Sequence, residues 1–167
     1  MIDLNKLAAE IHEAAVAKGF WDVEDAEAKH IAKMHSELSE AVQADRAGVI
    51  YEVEHEGAKP EGVIAELADF VMMLLDWAKY LDVNNLQITK SKVIEQDAID
   101  LPNLVNNMHE GIVIVDNNWF DPMYMHFIFM VACCEEYVSL KGFDLWEVIR
   151  QKMEYNKSRP ALHGRLY

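Results

Sequence analysis

The sequence predicts an all-α bundle, and three observations predict it. Apolar residues recur at spacings of three and four in nearly every segment, alternation with period two is almost absent, and the chain carries only seven glycines and four prolines. Half of its 167 residues are apolar, enough to bury the core of a single domain covering residues 1–167.

The first helix is expected over residues 3–18, stopping at Gly19, which tolerates the positive φ of a helix end. After the corner "FWD", Asp22 is expected to cap a second helix running to about Ala47, with Ile31, Met34, Leu38, Ala41 and Val42 as its apolar stripe and Gly48 as its stop. The loop "EVEHEGAKP" follows. Pro60 suits the first turn of a third helix whose stripe is Val63, Leu67, Phe70, Val71, Leu74 and Ala78, packed antiparallel to the second. Near the C-terminus, Asp144 and Glu147 fit a capping box for a last helix through "LWEVIRQKMEYNKSR", ahead of Pro160.

Between these segments the chain echoes itself at an offset of about 60 residues. "FVMMLLDWAKYLDVNNLQI" aligns with "MVACCEEYVSLKGFDLWEVI", pairing Val71 with Val131, Trp77 with Tyr137, Asn84 with Asp144 and Lys92 with Lys152. Two unequal pseudo-repeats, about 1–95 and 96–167, are one explanation, and chance likeness between amphipathic helices is the other. Under the first, Glu66 falls opposite His126 and Asp69 opposite Phe129, so the second half lacks the carboxylates of the first.

A formal charge of -14 excludes a general affinity for nucleic acid polymers or anionic membranes, both of which need basic surfaces. The only cysteines, Cys133 and Cys134, are adjacent in an apolar run and read as buried thiols. No segment has the length of a spanning helix or the pattern of a signal peptide, so a cytoplasmic location is expected.

The chemistry concentrates in acids. Glu37 and Glu40 lie three apart on the second helix, and Glu66 and Asp69 three apart on the third. Positions i and i+3 are about 60° apart and about 4.5 Å along the axis, so each pair can act as a two-toothed unit. Measured from the apolar stripes, both pairs sit at the edge of the helix seam. Ordinary solvated boundary residues are one reading; the other is convergence, which like charges resist unless cations sit among them. Mg²⁺ suits an all-oxygen donor set, with Mn²⁺ possible, and it commonly completes its shell with substrate phosphates. A di-iron bundle would want Glu-x-x-His, and neither pair has the histidine.

On the last helix Lys152, Asn156 and Arg159 share one face and form a comb suited to phosphate oxygens, although basic groups there also complement the helix dipole. Phe20 and Trp21 could stack on a ring or belong to the core. His12, His35 and Asn107 are weaker candidates, and His35 follows the apolar face. Met72, Met73, Met123, Met125 and Met130 read first as packing material.

Taken in order, "HSELSEA", "ELADFVMMLLDWA" and "KMEYNKSRPALHG" resemble the MazG-like nucleoside triphosphate pyrophosphohydrolases of the all-α NTP pyrophosphatase superfamily, in a tandem form related to dimeric dUTPases. The resemblance implies a helical bundle that assembles as a homodimer or larger homo-oligomer. It implies Mg²⁺-dependent hydrolysis of a nucleoside triphosphate to the monophosphate and pyrophosphate, by a metal-activated water attacking the α-phosphorus, in nucleotide-pool cleaning. Glu37, Glu40, Glu66 and Asp69 would hold the metal, and Lys152, Asn156 and Arg159 the phosphates, with Trp21 at the base. The family's first motif often opens with two adjacent acids, whereas Ser36 precedes Glu37 here. Glu37 is the first choice for activating the water and Glu40 the second. The alternative reading is a non-enzymatic helical module for binding or oligomerisation, which would show no dependence on Mg²⁺.

Overall fold

Helix α1 (Leu4–Ala17) begins where the Asp3 carboxylate accepts the Lys6 amide at 3.1 Å. It ends at Gly19, φ 82°, with the Phe20 amide donating to the Ala15 carbonyl and the Gly19 amide to that of Val16. These and the following contacts are those of a computed structural model describing residues 2–55, 57–88, 100–117 and 123–164. The described residues form six helices: α1, α2 (Ala26–Arg46), α3 (Val63–Tyr80), α4 (Leu101–Asp116), α5 (Tyr124–Leu140) and α6 (Leu145–Lys157). The predicted fold class is the observed one.

Two helix starts differ from expectation. Asp22 does not cap α2; its amide donates to the Gly19 carbonyl in the corner, and α2 begins only after Asp25, whose φ is 52°. The corner is lengthened because Trp21 turns inward and donates its indole N–H to Asp76 on α3, a tertiary contact that periodicity cannot register. Pro60 likewise lies outside α3, which starts after Gly62 (φ 99°). The loop before it folds back through a Glu52–Glu61 antiparallel bridge. The Val49 and Ile50 carbonyls then accept from the Val63 and Ile64 amides at 3.1 and 3.0 Å. Main-chain oxygens thus cap the first turn, where no side chain does.

Helix α3 is the hub. It packs against α1, α2, α5 and α6, while α4 closes over α2 and α5. The six stripe residues expected on α3 are buried, but so are Ile64, Ala65, Ala68 and Leu75, and thirteen of its 18 residues in all. Packed by four other helices, α3 buries most of its circumference, so its hydrophobicity extends around the axis, and the arc of Asp69, Met72, Met73 and Tyr80 is less covered.

At the C-terminal end, Asp144 accepts from the Trp146 and Glu147 amides as expected. The reciprocal half of the capping box is missing, because Glu147 instead takes the Arg150 guanidinium at 2.8 Å. Beyond α6, the Lys18 ammonium binds the carbonyls of Lys157 and Arg159, and the Leu162 amide donates back to the Lys18 carbonyl. Residues 157–162 are thereby tied to the end of α1.

At the 60-residue offset, α3 and α5 each run into a left-handed residue, Asp82 and Gly142, and both Val71 with Val131 and Trp77 with Tyr137 are buried. The proposed partner of Lys152, Lys92, lies outside the described residues. Cys133 and Cys134 are buried free thiols. No helix among the described residues is long and apolar enough to cross a membrane.

Candidate functional site

The antiparallel run of α2 against α3 brings Trp77 to Glu27, His30 to the Met73 carbonyl, and Glu37 to Glu66. Carboxylate oxygens of Glu37, Glu40 and Glu66 lie within 4.8 Å of one another. Glu37 and Glu66 are only 6% and 7% exposed, deeper than the seam edge inferred from helical angle. The reason is α6: it packs on α3 and covers what would be the boundary of a two-helix seam.

Burial is the main cause that pushes the Glu66 carboxyl up to about 8; Asp69 and Glu37 add to it, and Lys152 opposes it. Glu66 therefore carries a proton at neutral pH and donates it in a hydrogen bond to Glu37. Glu37 is itself raised, first by burial and then by Asp69, against the pull of Lys33. The Lys33 ammonium sits 3.3 Å from Glu37. Ser36, the residue standing where a second acid was looked for, donates to Glu40 at 2.9 Å and orients that exposed carboxylate.

Asp69 is beside this trio and not inside it. Its charge raises both Glu37 and Glu66, but its carboxylate is held 2.7 Å from the Lys152 ammonium. Lys152, 2% exposed, also donates to the Pro60 carbonyl. Lys59 adds a third cation, its pKa raised by Glu66, Glu61 and Asp69 against the cost of burial. The donor set could hold a hard divalent cation: three clustered carboxylates with no imidazole or thiolate among them, one of them kept protonated chiefly by burial.

Next to the acids lies a cavity of about 370 Å³, a size suited to a small molecule, lined from α1, α2, α3 and α6. Asp69 and Lys33 form its border with the acids; Asn156 and Arg159 line it farther along. The C-terminal comb is thus divided, with Lys152 sealed against Asp69 and the other two facing the cavity. Phe20 lines the cavity as well, edge-on to His163. Trp21 does not line it: its ring stacks on Tyr80 and His30, and its N–H is committed to Asp76.

His12 reaches Asp76 at 2.6 Å. His35 is half-buried at the α2–α4 contact, its Nδ1 2.6 Å from that of His109. Asn107 lines a separate cavity between α4 and α5, together with His126. Met72 and Met73 line the larger cavity, so part of the methionine run faces open space.

Sequence reasoning missed Lys33, Lys59, His30 and Asp76. A usable signal existed for two of them. His30 is seven residues before Glu37, and Asp76 seven after Asp69, a spacing that returns to the same helix face within about 20°. No family model, curated protein or solved structure matches the chain.

Proposed function

We propose that the protein is a Mg²⁺-dependent nucleoside triphosphate pyrophosphohydrolase that releases a nucleoside monophosphate and pyrophosphate. The observation that carries this reading is the junction of two unlike sites: a carboxylate trio with two buried members and one exposed and, against it, a ligand-sized cavity with cationic and amide groups in its wall. A triphosphate is the kind of ligand that needs both, a divalent cation for its charge and donors for its oxygens.

Glu37, Glu40 and Glu66 would hold the cation, with Asp69 joining if it leaves Lys152. Bound there, Mg²⁺ would neutralise phosphate charge and lower the pKa of water. Glu66 would give up its proton as the cation arrives. Lys33 stands at the border and Arg159 and Asn156 farther in, where a guanidinium fork and an amide can donate to phosphate oxygens. Water attacks the α-phosphorus, the bond to the β-phosphate oxygen breaks, and the pyrophosphate leaves with that electron pair. Of the two glutamates considered for the water's proton, Glu40 is favoured: it is exposed and oriented by Ser36, whereas Glu37 is engaged by Lys33 and Glu66. Phe20 supplies the apolar wall for the nucleoside.

The test is a panel of nucleoside triphosphates with Mg²⁺, resolved into monophosphate and pyrophosphate. Glu66→Gln is expected to lose turnover by at least about 100-fold with its helical circular dichroism retained. Absence of Mg²⁺-dependent product from the whole panel, or full activity in the variant, would overturn the assignment.

A further inference from the structure

The end of the cavity away from the acids holds a second polar group set that phosphate chemistry does not use. His30 and Asp76 both line it, and both are nearly buried. Seven residues separate His30 from Glu37 on α2 and ten separate Glu66 from Asp76 on α3, so this end lies about 10 to 15 Å along the helices from the carboxylate trio. That is the reach of a nucleoside from its phosphate to the far edge of its base.

The protonation pattern follows from the partners. The Met73 carbonyl can only accept, and it lies 2.8 Å from His30 Nε2, so the imidazole proton is on Nε2 and Nδ1 is a bare acceptor. Burial lowers the His30 pKa, which keeps the ring neutral. Nδ1 in turn lies 3.8 Å from Asp76 Oδ2, too far for a hydrogen bond. Asp76 Oδ1 accepts from His12 Nδ1 and from Trp21 Nε1; Oδ2 takes only a longer share of the same indole N–H, at 3.2 Å, and keeps lone-pair capacity. His30 is a lining residue of the cavity, and its Nδ1 makes no hydrogen bond within the described residues. Burial raises the Asp76 carboxyl, while His30, His12 and Trp21 favour its ionised form; in that form two acceptors face each other across 3.8 Å at the cavity wall.

Resting on the nucleotide reading above, we propose that His30 Nδ1 and Asp76 Oδ2 are specificity-determining groups that select a base presenting an exocyclic amino group, cytosine or adenine, over one presenting a carbonyl at the same position. An amino group offers two N–H donors to the two acceptors. A carbonyl oxygen would set a third acceptor against them and leave all three unpaired, the arrangement that sites of this kind reject most strongly. His12 and Trp21 are positioning residues: they occupy Oδ1 and so turn Oδ2 toward His30.

The experiment measures binding, not turnover. The α,β-imido analogues of dCTP and dUTP are titrated calorimetrically in Mg²⁺ against the wild-type protein and Asp76→Asn. Wild type is expected to prefer the cytosine analogue by about tenfold or more. In Asp76→Asn, the amide oxygen can keep the His12 and Trp21 bonds while the amide nitrogen becomes a donor, so the preference is expected to vanish or invert. Equal wild-type affinities, or a preference unchanged in Asp76→Asn, would sink the proposal and leave the nucleotide reading standing. Binding of neither analogue would remove the nucleotide reading and this inference with it. Independently of any ligand, ¹⁵N NMR of the free protein at pH 7 is expected to show the neutral Nε2–H tautomer at His30; a proton on Nδ1 overturns the inference alone.

Discussion

The Glu66 carboxyl ties stability to pH in a direction opposite to ordinary acid denaturation. Its folded pKa, about 8, is above its unfolded value near 4.5. The unfolded chain therefore holds fewer protons between these values, and the contribution of Glu66, complete below about pH 4.5, is lost as pH rises through 8. Without divalent ions the protein is expected to lose on the order of 2 kcal/mol between pH 6 and pH 8.5, read by urea melts, and Glu66→Gln to flatten that loss. His35 and His109 act on the other side. Burial lowers both; Asp116 opposes the shift of His35, and His35 adds to that of His109. Their 2.6 Å contact needs one bare nitrogen. Here the unfolded state binds more protons, so the contribution is present above about pH 6.5 and is lost as pH falls through the lower folded values. Replacing both by Gln is expected to remove that acid-side loss in the same melts. The pairs at 37/40 and 66/69 were legible from their spacing, but the histidine contact was not, since it joins helices 74 residues apart in the chain.

At the scale of elements, the decisive piece is the junction of the 49–62 loop with α3. Gly62 has a φ of 99°, and a Cβ there would stand 2.8 Å from the Ile50 carbonyl oxygen. Both the left-handed backbone and the backbone neighbour exclude a side chain. Gly62→Ala is accordingly expected to cost at least about 2 kcal/mol and to weaken Mg²⁺ binding, because Glu66 sits in the first turn of the helix this junction starts. A chemical melt paired with calorimetric Mg²⁺ titration reads both effects. The existence of α1, α2, α3 and α6 was legible from three-and-four spacing and from stops such as Gly19 and Gly48, whereas α4 was not singled out. The starts of α2 and α3 were not, because a tertiary indole contact and main-chain carbonyls, not capping side chains, set them.

For the whole molecule, the proposed cation site exists only where folding gathers the acid trio, so divalent cations are expected to favour the folded state. Mg²⁺ with a non-hydrolysable nucleoside triphosphate is expected to raise the thermal midpoint by several degrees, and Mg²⁺ alone by less. A midpoint indifferent to both would favour the reading of a non-enzymatic helical module. What the sequence determined by itself is what is written in local periodicity: the all-α class, the apolar stripes of α2 and α3, the stops at Gly19 and Gly48, and which acids share a helix face. Tertiary structure alone decided that α3 is packed by four other helices, that Lys152 neutralises Asp69 while Asn156 and Arg159 turn to the cavity, and that Trp21 serves Asp76 where Phe20 lines the wall. Local pattern states which way a side chain leaves its own helix. Its partner, its burial and hence its charge depend on which other helices arrive there, and that is settled only when the chain packs.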